Sequence, residues 1–149
     1  MSCHASSDVY DFDCEAVIAQ LNHILESEMA GVVRYTHYSF MVFGMERLPL
    51  QVWLQQQASE SLLHSQQAGE LITHLGGHPS LKIGTLLESH KHDTRSILEE
   101  ALAHESEAIY AYRRLLDLVK DKSVLIEEFA RQHIFQEEQH IGDVRKMMR

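Results

Sequence analysis

Apolar residues recur every three to four positions in four long stretches of the chain, which is the spacing that gives a helix one buried face. A helix of about 25 residues is about 38 Å long, enough to run through a whole small domain. The pattern predicts helices over approximately residues 13–43, 50–75, 93–119 and 124–147. The sequence therefore predicts an all-α protein.

The connections between these stretches differ in length. Gly44 and Pro49 bracket a short turn after the first predicted helix, and residues 121–123 form another before the fourth. A long linker over residues 76–92 separates the second helix from the third. Within it, Thr85-Leu-Leu-Glu88 has the spacing of a helix capping box and predicts a short helical turn.

Two tight hairpins joined by a long crossover are typical of a four-helix bundle in which the two middle helices run parallel. We expect one such domain over residues 13–149, preceded by a flexible N-terminal tail over residues 1–12. The hydropathy pattern shows no apolar run of membrane-spanning length.

Carboxylate and imidazole side chains lie on helix faces that are otherwise apolar. Burying a lone carboxylate costs several kcal/mol unless a partner compensates for it, and a metal ion does so directly. A single buried glutamate is more often paired or hydrogen-bonded, but here such residues occur in all four predicted helices. They are Glu28, His64, Glu105, Glu137 and His140.

The chain also repeats its own pattern. Glu28 and Tyr35 have the same spacing as Glu105 and Tyr112, and Glu28 precedes His64 by nearly the distance that separates Glu105 from His140. In an antiparallel hairpin these spacings bring each histidine back to the level of its glutamate. Glu137 and His140 are three residues apart and share a helix face. Two such hairpins, each with a glutamate and a histidine at one level, would place both pairs side by side in the bundle. The repeated pattern therefore predicts a two-metal site.

In these segments the sequence resembles the bacterioferritins, within the wider ferritin-like superfamily, from about residue 16 to the C-terminus. The resemblance implies a ferritin-like four-helix bundle. The segments that carry it are residues 21–28 with Tyr35, His64 with residues 77–79, residues 103–105, and residues 137–141.

Carried over by position, the resemblance implies that Glu28 and His64 bind one iron ion and that Glu105 and His140 bind the other. Glu137 would bridge the two. Oxygen ligands with one imidazole per metal also suit Mn(II) and Zn(II), which remain alternatives. The resemblance further implies oxidation of Fe(II) by dioxygen or peroxide.

The second helix departs from the family pattern. Ser61 stands where the family has a second bridging glutamate, and the nearest acid is Glu60. Two Fe(II) ions carry four positive charges, and three glutamates offset only three of them. We therefore expect Glu60 to join the site as a metal ligand; the alternative is a solvated glutamate beside it.

Two further departures concern haem and assembly. Leu62 occupies the position of the haem-binding methionine, so we expect no haem. The chain ends soon after His140, so the short fifth helix that lines a channel of bacterioferritin cages is expected to be missing. A homodimer is the expected assembly, with a larger one as the alternative.

Other residues are expected to support the ligands. Tyr35 lies two turns from Glu28, and His133 lies one turn before Glu137 on the same face, so both are candidates for contact with ligand side chains. Tyr112 is predicted to be a core tyrosine.

Charge excludes one class of partner. The chain has 22 acidic and 13 basic residues and a formal net charge of −9, which repels phosphate backbones, so we expect no nucleic acid as a partner. Because the chain has no apolar run of membrane-spanning length, we expect no membrane as a partner either. Two cysteines and no signal for secretion favour the cytoplasm.

The sequence thus predicts a ferroxidase that serves iron storage or detoxification. Two alternatives stay open. One is a small dimeric di-metal oxidase or peroxidase without mineral storage, and the other is a non-catalytic subunit that pairs with a complete bacterioferritin.

Overall fold

The computed structural model describes residues 11–86 and 88–149. It contains four α-helices: α1 (Cys14–Met41), α2 (Arg47–His74), α3 (Thr94–Val119) and α4 (Val124–Met147). No strand occurs in the described residues, and none of the helices there is long and apolar enough to cross a membrane. The predicted all-α bundle with two hairpins and a long crossover is confirmed.

Some predicted details change. α2 begins at Arg47 instead of Leu50, and Pro49 fits inside its first turn because the first amides of a helix need no helical acceptor. The prediction of a helical turn at Thr85–Glu88 is wrong, since residues 81–86 and 88–89 are not helical. The tail predicted for residues 1–12 lies mostly outside the described residues, and its boundary stays a prediction.

Side-chain caps set the first turns of three helices. Asp13, Asp93 and Ser123 each accept a hydrogen bond from the backbone N–H three residues later, which satisfies one of the free amides at the helix start. α2 is followed by Gly76, whose φ of 81° is strained for residues with a side chain. These local signals give the helices their bounds.

Buried apolar side chains form two separate clusters inside the bundle. The first lies around the N-terminal half of α1 and the C-terminal part of α3 and includes Val17, Leu21 and Leu115. The second lies around the C-terminal half of α1 and includes Tyr38, Leu54 and Ile97. The polar residues singled out by sequence occupy the layer between the two clusters.

The crossover runs along α1 in the same direction as that helix. The side chain of Asn22 binds the backbone of His78 and Ser80, at 3.1 and 2.8 Å. Further along, the Gly84 N–H donates to the carbonyl of Glu26 at 2.8 Å, and a side chain at Gly84 would crowd that same carbonyl. The crossover is therefore held at several points, and it carries the chain back to the start of α3.

We expect Leu115→Ala to lower the free energy of unfolding by about 2–5 kcal/mol, because Leu115 is fully buried and its loss leaves a cavity in the first cluster. The matched control is Leu125→Ala, at a leucine that is 51% exposed. The control should change stability by less than about 1 kcal/mol. Urea unfolding followed by circular dichroism measures both. Equal losses in the two variants would contradict the placement of the core.

Candidate metal centre

All four helices contribute to the polar layer. α1 supplies Glu28, α2 supplies His64, α3 supplies Glu105, and α4 supplies Glu137 and His140. The first four of these residues are no more than 4% exposed. The His140 side chain is 15% exposed, so the layer reaches solvent on its side. The structure brings these five predicted ligands together in one layer.

The first group of donors is Glu28, His64 and Glu137, whose ligand atoms all lie within 4.8 Å of one another. Nδ1 of His64 is 3.6 Å from Oε1 of Glu28 and 3.9 Å from Oε1 of Glu137. These distances exceed a hydrogen bond. The three side chains thus surround a point without bonding to each other.

The second group is Glu105, Glu137 and His140, again within 4.8 Å. Nδ1 of His140 lies 3.8 Å from Oε2 of Glu137. Glu137 therefore turns one carboxylate oxygen toward each histidine. Its place between the two histidines is the one expected for the bridging ligand that the family resemblance implied.

The buried donors here fit a cation. Nδ1 of His64 and Oε2 of Glu137 are buried and have no hydrogen-bond partner among the described residues. Such orphaned atoms cost roughly 1–3 kcal/mol each, more when charged, and native interiors avoid them. Three carboxylates and two imidazoles are donors that Fe(II), Mn(II) and Zn(II) accept.

Burial and the charges of neighbouring groups shift the pKa values of three groups in the layer. Burial raises the pKa of Glu137, and the negative charge of Glu28 raises it further. Burial lowers the pKa of His64, but the carboxylates of Glu28 and Glu137 outweigh that effect, and the net pKa lies above its usual value. The pKa of His140 is likewise raised, because Glu137 and Glu60 outweigh its burial. The layer is a site where bound positive charge is favourable.

Two tyrosines connect the hairpins through the candidate ligands. Tyr35 on α1 donates its hydroxyl hydrogen bond to Oε1 of Glu105 on α3. Tyr112 on α3 donates to Oε1 of Glu28 on α1 at 2.9 Å. Burial raises the pKa of both phenols, so they remain protonated donors. Sequence reasoning assigned Tyr112 to the core, although the repeated glutamate–tyrosine spacing was the signal for this contact.

His133 packs directly behind the first group of donors. Its ring is 4.4 Å from that of His64 and 4.8 Å from that of Tyr112, on which it stacks. Nδ1 contacts the carbonyl of Phe129 at 2.7 Å. A carbonyl only accepts, so Nδ1 carries the proton and Nε2 has the lone pair. Burial lowers the pKa of His133 to about 4, and the neighbouring His64 lowers it too.

Glu60 and Ser61 occupy different places at the edge of the layer. Oε2 of Glu60 lies 2.9 Å from Nε2 of His140, on the side of the ring that faces away from Glu137, and the Glu60 side chain is 45% exposed. Glu60 is thus placed beside His140 rather than His64. Ser61 is buried where α1 and α2 approach closely, since a side chain added at Gly31 would meet its hydroxyl at 2.7 Å.

The comparison with protein families gives one match over most of the chain. The ferritin-like domain family matches residues 18–149. No curated protein sequence matches the chain significantly.

Solved structures with the same arrangement of helices are numerous. A ferritin-like, diiron-carboxylate protein from Bacillus anthracis str. Ames has a TM-score of 0.82 and 23% identity, covering 91% of this chain and 97% of that one. The dodecameric thioferritin of Bacteroides fragilis, a bacterioferritin-related protein, has a TM-score of 0.85 and 24% identity, with coverages of 91% and 85%. Rhodobacter capsulatus bacterioferritin has a TM-score of 0.80 and 22% identity, with coverages of 90% and 84%. At these identities the similarity concerns the fold, and it confirms the ferritin-like bundle.

We expect His133 to make the metal-free protein less stable in mild acid. Its folded-state pKa of about 4 lies below the ordinary value of 6.5, so between these values the unfolded chain binds more protons than the folded one. Stability therefore falls as the pH drops from 6.5 toward 4, by about 2 kcal/mol at pH 5 for this residue. The loss is negligible above about pH 7.5, where both states are neutral.

His133→Phe tests this contribution, since it keeps a ring and removes the titrating group. Urea unfolding in the presence of a chelator at pH 7.5 and pH 5 should show a drop in stability that is about 2 kcal/mol smaller in the variant. An equal drop in both proteins would mean that folded His133 accepts a proton.

Proposed function

Because the chain belongs to the ferritin-like domain family, we propose that its polar layer binds two iron ions and oxidises Fe(II). Glu28 and His64 bind the first ion, Glu105 and His140 bind the second, and Glu137 bridges them. Mn(II) and Zn(II) are the competing metals for the same donors. We propose no haem, since Leu62 has no donor atom at the family's haem position.

The two-sided environment of Glu137 carries this proposal. One carboxylate oxygen lies 3.9 Å from His64 and the other 3.8 Å from His140, and both groups of donors share this residue. A salt bridge or a core glutamate needs only one such partner. A carboxylate with a nitrogen donor on each side can be shared by two neighbouring cations.

The chemistry supplied by bound iron is a two-electron oxidation, in which two Fe(II) become Fe(III) and dioxygen becomes hydrogen peroxide, or peroxide becomes water, with uptake of two protons. Carboxylate ligands favour the ferric product because it carries more positive charge. Tyr35 and Tyr112 hold the Glu105 and Glu28 carboxylates in place through hydrogen bonds. The apolar clusters on both sides exclude water from the buried part of the layer, which strengthens each of these interactions.

Glu60 acts on the second ion in this proposal. Its carboxylate oxygen lies 2.9 Å from Nε2 of His140, while Nδ1 of that ring faces Glu137. A carboxylate behind a metal-binding histidine fixes the orientation of the ring and makes it a better donor. Glu60 also supplies the fourth negative charge that two Fe(II) ions require.

We propose that the protein is a bacterioferritin-like iron storage or detoxification protein of the cytoplasm and that it works as an oligomer built from homodimers. Large exposed apolar side chains surround the α1–α2 turn, including Phe40, Met45 and Leu48. Exposed apolar patches of this kind mark contact surfaces. The related thioferritin is dodecameric.

The combined variant His64→Ala and His140→Ala should lose the two tightly bound iron ions, because each ion loses the histidine proposed to bind it. Anaerobic Fe(II) titration followed by oxygen-consumption kinetics measures the stoichiometry and the rate. The control is His23→Ala with His78→Ala, which removes two exposed histidines. Helicity should stay unchanged in both.

Unchanged iron stoichiometry in the first variant would overturn the di-iron proposal. Binding of two ions by the parent protein without Fe(II) oxidation would overturn the ferroxidase activity and favour the non-catalytic subunit.

Glu60→Gln should weaken iron binding at the His140 side by about 10- to 100-fold and slow Fe(II) oxidation, because the amide keeps the size of the side chain and loses its charge. Glu70→Gln, at an exposed glutamate of the same helix, is the matched control and should behave as the parent. Stepwise Fe(II) titration separates the two sites. Parent-like binding and oxidation in Glu60→Gln would make Glu60 a solvated residue only.

A further inference from the structure

A second group of metal donors lies outside the bundle core, where the crossover meets α1. His37 belongs to α1, while Glu88 and His92 belong to the last part of the crossover. Their ligand atoms lie within 4.8 Å of one another. We propose that these three residues bind one divalent transition-metal ion and that this ion fastens the crossover to α1.

The geometry converges on one carboxylate. Oε1 of Glu88 lies 3.2 Å from Nε2 of His37 and 2.9 Å from Nε2 of His92. The other oxygen, Oε2, lies 3.5 Å from Nδ1 of His90. Three imidazoles therefore surround a single glutamate, and two of them present the same ring nitrogen to the same oxygen.

The donor chemistry selects the class of metal. Two imidazole nitrogens and one carboxylate oxygen form a three-ligand set that binds Zn(II) or Fe(II) and leaves further positions for water. Ca(II) and Mg(II) prefer oxygen ligands and are poorly matched. The hydrogen bonds from His92 and His37 lower the pKa of Glu88, so the carboxylate is charged and available.

Solvent can reach the three residues, whose side chains are between 33% and 44% exposed. A cavity of about 220 Å³ adjoins His37 and Glu88 and is also lined by Val33, Tyr38 and Leu86. A metal ion can therefore reach these three side chains from solution.

Neighbouring groups compensate the positive charge of Arg34, which lies close to the site. Arg34 lies 3.9 Å from Glu100 and donates to the hydroxyl of Tyr38 and the carbonyl of Thr85. Glu100 in turn accepts hydrogen bonds from the backbone and side chain of Ser89. This network already holds the crossover on both sides of Glu88, so binding of an ion requires little rearrangement.

The site is independent of the di-iron centre, since it shares no residue with it. Its role is structural: one ion joins α1 to the segment that leads into α3 and restrains the long crossover. The arrangement without metal, in which Glu88 only pairs with histidines, is the competing interpretation.

The test uses the full chain with Zn(II) as the probe, in the parent and in the His64→Ala, His140→Ala background. His37→Ala with His92→Ala should lower the Zn(II) stoichiometry by one ion per chain in both proteins, as measured by calorimetric titration. Glu88→Gln should weaken binding of that ion by at least about tenfold. The matched control, His23→Ala with His78→Ala, should bind as many ions as its parent.

Limited digestion with trypsin tests the structural role, because Lys82 and Lys91 lie in the crossover. In the background that lacks His64 and His140, Zn(II) should slow cleavage after these lysines, and His37→Ala with His92→Ala should abolish the protection. If His37→Ala with His92→Ala leaves the Zn(II) stoichiometry unchanged, the metal site is overturned and the three residues form only a cluster of ion pairs. If that variant loses one ion but Zn(II) does not change the cleavage rates in either protein, the ion does not restrain the crossover.

Discussion

Carboxylates and imidazoles buried halfway along an apolar core are the constraint on which the rest of this structure depends. Taking one carboxylate out of water costs several kcal/mol, and Glu28, Glu105 and Glu137 are all buried in one layer. Two apolar clusters, one on each side, supply the burial that offsets this cost. The long helices follow from this arrangement, because each must cross both clusters and the layer between them.

The hydrogen bonds of the layer join the two hairpins to each other. Tyr35 of the first hairpin binds Glu105 of the second, and Tyr112 of the second binds Glu28 of the first. In each of these hydrogen bonds the donor belongs to one hairpin and the buried glutamate to the other. The polar layer therefore couples the hairpins in a specific register, whereas apolar packing alone tolerates sliding and repacking.

The two halves of the centre are nevertheless unequal. His64 is almost fully buried and has His133 packed against it, whereas His140 is partly exposed and has Glu60 at its outer nitrogen. The His140 side is thus the more accessible side of the layer, and a carboxylate stands at its opening. A carboxylate in this position attracts positive charge at the point where solvent reaches the layer.

The sequence by itself determined the helices, the hairpin pattern and the set of residues that meet in the polar layer. Helical periodicity and turn residues are local signals, and nearly equal spacings along two hairpins place Glu28 near His64 and Glu105 near His140 without any further information. Only the tertiary structure decided which residues from distant parts of the chain touch. Three contacts show this: the hydrogen bond from Tyr112 to Glu28, the contact of Glu60 with His140, and the cluster of His37, Glu88 and His92. Such contacts depend on how the helices pack and rotate against one another, which the apolar pattern of each helix leaves open over a range of angles.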